Sequence, residues 1–248
     1  MKKIVFFATI LVIALSVQSQ TVFIRSGRIE FERKTNSHRL FFSGETDAWV
    51  EEFKKLVPQF KTDYFDLVFT ENKTLYKPGK EPEVEKTGFF ESPAMENIVF
   101  TDLAGQASVS QKKFYDAEFL LSDSTKAIKW KLEPETRTIA GFECKKAVTR
   151  ICDSVVVVAF YTDQIITPGG PESFNGLPGM ILGLAIPRLY TTWFATKLEN
   201  IGTAGEAKII APAKGKKATT KDMVNKVADA VKNWGEKYRD RSIWFITL

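Results

Sequence analysis

Apolar residues recur at every second position through most of this chain. In GRIEFERK, residues 27–34, Ile29 and Phe31 alternate with charged side chains, and in YFDLVF Phe65, Leu67 and Phe69 fall on one face. AIKWKLE sets Ile128, Trp130 and Leu132 against lysines and an acid, and TWFATKLENI and EAKIIAP continue the habit. Successive side chains on a strand point to opposite faces, so this period specifies a sheet with one buried and one wet face. VVVVAFY, from Val155 to Tyr161, is apolar throughout, as a central strand covered on both sides would be. Glu133-Pro134-Glu135-Thr136 has the length and the proline of a hairpin turn, and Cys152-Asp153-Ser154 marks the next reversal. Strands joined by such short turns pair antiparallel, because parallel pairs need long crossovers.

Two segments change to helical period. Thr46 or Asp47 caps a short helix through Ala48, Trp49, Phe53 and Leu56, stopped by Pro58. TTKDMVNKVADAVKNWGEKYRD starts with a capping-box pattern at Thr219 and Asp222 and lines up Met223, Val227, Ala230, Val231, Trp234 and Tyr238. The final SIWFITL reads as a short strand or an apolar tail, and APAKGKKATT as a linker. The expected fold is therefore mainly β (α+β): a single curved antiparallel sheet, or an open barrel or half-barrel. A short helix in the N-terminal half and a C-terminal covering helix at residues 219–240 complete it. There is no internal repeat, and residues 20–248 read as one domain.

The N-terminus, MKKIVFFATILVIALSVQSQ, joins a basic start at Lys2 and Lys3 to an uncharged apolar run from Ile4 to Val17. That run is shorter than the roughly 20 residues of a spanning helix. Val17 and Ser19 supply the small residues a signal peptidase accepts, so residues 1–19 read as a cleaved signal peptide. The remainder carries no transmembrane segment and is expected in the periplasm, at the outer-membrane periphery or outside the cell. The formal charge of +5 loses Lys2 and Lys3 with the leader. The one basic cluster, Lys214, Lys216, Lys217 and Lys221, has no interleaved aromatics and reads as a solvated linker, so no nucleic-acid partner is expected. Cys144 and Cys152 lie on one extended stretch, FECKKAVTRIC, which would hold them about 26 Å apart. A disulfide needs Cα atoms within about 7 Å, so two free, largely buried thiols are expected.

Positive signs of catalysis are absent from the sequence. His38, the single histidine, lies in KTNSHRL with no motif around it and reads as a structural residue. HExxH, GxSxG, the P-loop and the Rossmann glycine run are all missing. Ser110-Gln-Lys-Lys113 matches S-x-x-K, and Lys86-Thr87-Gly88 matches K-T-G, but their order is reversed. On an extended segment Ser110 and Lys113 would also face opposite ways. No metal site and no cofactor is expected.

The densest signal is FYTDQIITPGGPESFNGLPGMILGL, residues 160–184. Pro168-Gly169-Gly170-Pro171 cannot join a central strand, and Asn175-Gly176 and Leu177-Pro178-Gly179 are tight-turn signals. Mechanically this is a rigid double corner between two buried strands. Its wording, YTDQII then GGPESFNGLPGMILGL, resembles the signature of the GLPGLI family, with Met180 at a leucine position. GRIEFERKTNSH, LLSDSTKAIKWKLEPETRTIAGFECKKA and APAKGKK resemble further parts of that family, including Trp130 and Cys144.

The resemblance implies an exported, Gram-negative envelope protein, often encoded beside TonB-dependent outer-membrane receptors. The function expected is then a non-enzymatic accessory or binding protein. It would act with an outer-membrane transporter or carry an apolar small molecule in the sheet's concavity. Gly169, Gly170, Pro171, Phe174, Gly176, Leu177, Pro178 and Gly179 are the candidate binding rim, with a purely structural turn as the alternative. Trp130, Cys144 and Tyr161 are expected to be structural. Two other functions stay open: a hydrolase using carboxylates or Cys144 with His38 as base, and a structural component of an envelope assembly.

Overall fold

The computed structural model describes residues 23–44, 47–82, 94–202, 205 and 207–248. The expected signal peptide, Thr46 and the Lys86-Thr87-Gly88 match lie outside the described residues. Among the described residues twelve strands form one open, mixed sheet that does not close into a barrel. They are β1 (Gly27–Asn36), β2 (Phe60–Phe69), β3 (Lys73–Pro78), β4 (Ile98–Asp102), β5 (Ala107–Phe114) and β6 (Ala117–Ser124), followed by β7 (Lys131–Ile139), β8 (Phe142–Ile151), β9 (Val155–Thr162), β10 (Met180–Ile186), β11 (Thr191–Glu199) and β12 (Lys216–Ala218). Their order in the sheet is β12-β6-β5-β4-β3-β2-β1-β11-β10-β9-β8-β7.

The expected alternation is what aligns the inner face. Register pairs Ile29 with Leu67 and Leu67 with Tyr76, then Tyr76 with Val99, Val99 with Ser110 and Ser110 with Leu121. A parallel row runs through Phe69, Thr74, Thr101, Ser108 and Asp123. On β1 and β2 these rows are aromatic and aliphatic; on β4 to β6 the second turns polar, while the first keeps Val99 and Leu121 on either side of Ser110. The sheet curls, since the Trp193 indole on β11 donates to the Tyr76 hydroxyl on β3 at 3.1 Å, across two intervening strands. Phe65 stacks on Tyr76 with ring centroids 4.9 Å apart, and Phe31, Phe69 and Trp193 are fully buried beside them.

Past β10 in the strand order the sheet curls until β7 lies against the outer face of β10 and β11. Gly183 permits this, because a Cβ there would lie 2.7 Å from Ile139 Cδ1. Arg137 on β7 accordingly reaches the Phe194 ring on β11 at 4.9 Å.

Four α-helices occur among the described residues: α1 (Ser37–Phe42), α2 (Ala48–Leu56), α3 (Thr220–Ala230) and α4 (Glu236–Ile246). Asp47 is the N-cap residue of α2, without a side-chain cap bond, and the helix ends before Pro58 as expected. α3 begins with the expected capping box between Thr219 and Asp222.

Several local expectations are corrected. The covering helix is two helices, not one, because Gly235 at φ 87° breaks the chain's course. Met223, Val227 and Val231 are buried on the predicted stripe, whereas Ala230 and Trp234 are exposed. SIWFITL is neither strand nor loose tail: α4 runs through Ile246, with Phe245, Ile246 and Leu248 buried. Glu133–Thr136 is a bulge within β7 and not a hairpin turn, so the strand absorbs Pro134. Residues 208–211 form no strand, and Ile210 is exposed. The linker segment instead supplies β12, which pairs parallel with β6. The long stretch of chain between those two strands makes that orientation available.

Candidate functional site

Where the polar rows of β4 to β6 meet the end of α4, the inner face holds a cavity of about 170 Å³. Serine and threonine hydroxyls from β4, β5, the segment after β6, the corner and α3 line it, together with Lys112, Lys126 and Asp123 and the apolar side chains of Val99, Leu121 and Met223. The cavity exists because β5 carries Ser108, Ser110 and Lys112 on the face where β1 and β2 carry large apolar groups.

Lys112 is 3% exposed, and its Nζ donates to the main-chain oxygens of Ile246 at 3.0 Å and Leu248 at 2.8 Å. Burial pushes this ammonium down to about 7, and repulsion from Lys126 adds to the effect against the pull of Glu172 and Asp123. Lys126 is an exposed residue whose ammonium turns inward, donating to Ser173 Oγ at 3.0 Å and to the Thr247 main-chain oxygen. Ser173 Oγ in turn donates to the Leu248 oxygen at 2.7 Å. Asp123 accepts from the Thr220 hydroxyl at 2.7 Å.

Behind this cluster sits Glu172, 2% exposed and held at φ 55° inside the corner. Asn97 Nδ2 donates to its Oε2 at 2.9 Å, while its Oε1 and the Asn97 Oδ1 have no partner among the described residues. Burial pushes the Glu172 carboxyl above the usual carboxylate range, opposed first by Lys112 and then by the Asn97 hydrogen bond. Farther along the inner face Arg33 grips Asp63 at 2.7 Å, both buried, and donates to the Ala94 oxygen at 3.1 Å.

The corner itself is a built object. The amide of Gly176 donates to the Pro168 oxygen at 3.1 Å, that of Ile181 to Gly169 at 2.8 Å, and that of Met180 to Ile165 at 3.1 Å. Of the eight candidate rim residues, Gly169, Gly170, Pro171, Phe174, Leu177 and Gly179 are buried, and Gly176 and Pro178 face solvent. The three buried glycines sit where a side chain would clash. A Cβ at Gly170 would lie 2.8 Å from Ile181 Cβ, and one at Gly179 would lie 2.0 Å from the Thr162 oxygen. The residues the corner does present to the cavity are Ser173 and Asn175. Sequence reasoning passed over them and Glu172. The available signal was the strand alternation that puts Ser110 with Lys112, not with Lys113.

Trp130 is half-buried, packs near Phe174 and donates to the Asn175 oxygen at 2.9 Å, bracing the corner. Tyr161 is 3% exposed on β9. Both cysteines are free, but only Cys144 is buried. Cys152 is exposed, because its hairpin turn points it outward at φ 47°. Burial pushes the Cys144 thiol up to about 11, away from the thiolate a nucleophile needs. His38 lies on α1 with its Nε2 on the Val57 oxygen at 2.7 Å. No group of three or more His, Cys, Asp or Glu side chains suited to a metal occurs among the described residues. Among the described residues no helix is long and apolar enough to cross a membrane.

A family model described as "Protein of unknown function (Porph_ging)" matches residues 149–183, from the end of β8 through the corner into β10. No curated protein matches the sequence. Among solved structures, that of PNGF-II in space group P21 aligns with TM-score 0.52 and 16% identity over 79% of this chain and 32% of that chain. The C2 form of PNGF-II gives 0.53 and 14% over 89% and 33%. The chain thus spans about a third of the PNGF-II chains, and at that identity the likeness is one of fold. An uncharacterized conserved protein from Thermus thermophilus aligns with TM-score 0.37 and 6% identity, over 77% of this chain and 90% of that one.

Proposed function

We propose that this chain is a GLPGLI-type exported protein of the Gram-negative envelope, and that it binds a small polar ligand without transforming it. One observation carries the reading: a hydroxyl-lined cavity with a buried lysine on the inner face of a rigid sheet. Large apolar side chains fill the concave face at β1 to β3, and the hydroxyls of β4 and β5 favour a compact ligand with polar groups; an apolar small molecule, as the sequence reading expects, is the other outcome of the same test. Pockets for drug-sized molecules measure roughly 300–1,000 Å³, and this one is about 170 Å³. The corner acts as the cavity's fixed wall. Its buried glycines hold Ser173 and Asn175 in place, and they need not touch the ligand themselves. Purification of tagged protein from its own envelope, followed by mass spectrometry of small molecules and co-purifying proteins, tests the reading. A stoichiometric small molecule supports it, and an empty protein that binds none of a library of small polar compounds refutes it. N-terminal sequencing of the same material tests leader cleavage.

A second reading, an accessory seated on an outer-membrane receptor, is favoured by α2. Trp49, Phe53 and Leu56 are exposed there at spacings of four and three, beside exposed Phe60. In that case a receptor co-purifies in fixed ratio and is lost from Trp49→Ser with Phe53→Ser.

A further inference from the structure

We propose that the groove between the tip of the β5–β6 hairpin and α3 binds an alkylammonium group, free or on a lipid headgroup. This groove shares no lining residue with the cavity at Lys112. Past Lys112 the inner face of the hairpin turns aromatic: Lys112 pairs with Phe119, and Phe114 with Ala117 beside the turn. Val227 and Val231 are buried on the facing helix side, and Trp234 follows them. The space between measures about 370 Å³ and falls within the drug-sized range.

Its walls form an aromatic corner. Tyr115 takes φ 51° in the hairpin turn, the left-handed region that a bulky side chain seldom adopts. Its ring meets Trp234 with centroids 5.7 Å apart at 89°, and Phe114 at 4.9 Å and 84°. Rings at right angles wall a guest on more than one side. Each ring face carries negative potential and attracts a cation. Tyr115 and Trp234 are nonetheless exposed, so the fold itself leaves these faces uncovered.

Two observations choose the sign of the guest's charge. First, the chain's own ammonium already rests in the groove, with Lys226 Nζ 5.3 Å from the centroid of the Phe119 ring. Second, Asp116 sits beside Tyr115 in the turn and adds a carboxylate to the lining. It makes no ion pair or hydrogen bond among the described residues, with Lys226 or any other. Lys226 is exposed and held by no carboxylate, so a ligand's ammonium can displace it into water. Once it swings out, the groove keeps the ring faces and the acid. An anion would find only Lys226 and would meet both the rings and Asp116 unfavourably. A neutral apolar molecule would use the rings and gain nothing from Asp116.

The experiment is calorimetric titration of the full chain with choline chloride and with 3,3-dimethylbutan-1-ol, at constant ionic strength. The alcohol has the shape of choline without its charge. The expected result is saturable one-to-one binding of choline and about tenfold weaker binding of the alcohol. Trp234→Ala should weaken choline binding about tenfold, and Asp116→Asn about threefold. Both side chains are exposed, so both variants keep the fold. Lys226→Met should strengthen choline binding about threefold, because it removes the competing ammonium. Flotation with phosphatidylcholine against phosphatidylglycerol vesicles separates the sources. Choline binding without flotation points to a free ligand, and flotation with phosphatidylcholine alone points to a headgroup; either supports the proposal.

Absence of both choline binding and flotation overturns it. So does equal affinity for the neutral alcohol, or a Trp234→Ala variant that binds as wild type does. Weaker choline binding by Lys226→Met would make that lysine an attraction and not a competitor, and would overturn the cation assignment. None of these variants touches the lining of the Lys112 cavity, so the small-ligand reading of that site stands or falls separately.

Discussion

The buried ammonium of Lys112 makes a quantitative demand on stability. An unfolded lysine holds its proton to about 10.4, whereas folded Lys112 releases it at about 7. Between those values the unfolded chain binds one proton more than the folded one, so unfolding takes up a proton. Stability must therefore rise with pH across that window, at up to 1.36 kcal/mol per pH unit. Allowing for partial protonation near pH 7, the gain from pH 7 to pH 9 is about 2 kcal/mol. Other groups titrate over the same range, so the measurement is a difference between wild type and Lys112→Met. Urea unfolding of both proteins at pH 7, 8 and 9 gives that difference, with matched m-values as the check that the transitions are comparable. Methionine cannot donate to the Ile246 and Leu248 oxygens, a loss of about 1–3 kcal/mol that is independent of pH. The prediction is therefore a slope: wild type gains about 2 kcal/mol on the variant between pH 7 and pH 9. A gap that stays constant within about 0.5 kcal/mol would refute the claim that Lys112 is a desolvated cation.

Other predictions concern the corner, its carboxyl and the thiols. Gly179→Ala should cost more than about 4 kcal/mol, because its backbone sits at φ 138° and a Cβ would meet the Thr162 oxygen. Gly176→Ala, at φ 86° but with open space around it, should cost only about 1 kcal/mol. Thermal melts of the two variants separate them, and equal losses would mean that the corner is not packed as described. Glu172→Gln should raise the melting temperature at pH 8, because burial disfavours the ionised carboxylate that the unfolded chain carries there. That advantage should vanish as pH falls below the ordinary carboxylate range, where the wild-type carboxyl is protonated too; a constant advantage would contradict the burial argument. Alkylation of native protein at pH 7.5 should label one thiol, Cys152, with Cys144 reacting only in denaturant. Rapid native labelling of both would revive Cys144 as a nucleophile.

The features that were legible in the sequence share one property, that neighbours along the chain create them. Alternation at Ile29, Phe31, Phe65, Leu67 and Phe69 assigns strand and inner face together, because the two-residue period is a property of the extended backbone. The capping box at Thr219 and the turn glycines at 176 and 179 are equally local, and they stand where the residue order placed them.

What only the tertiary structure decided depends on contacts between distant segments. The parallel pairing of β12 with β6, the fold of β7 over Gly183 and the seating of Ile246–Leu248 on Lys112 join residues far apart in the chain. The site follows the same rule. Lys112 and Glu172 are ordinary charged residues in the sequence. They become a weakly basic ammonium and a reluctant carboxyl only because folding removes water from both. Desolvation belongs to the assembled interior, and no single strand carries it.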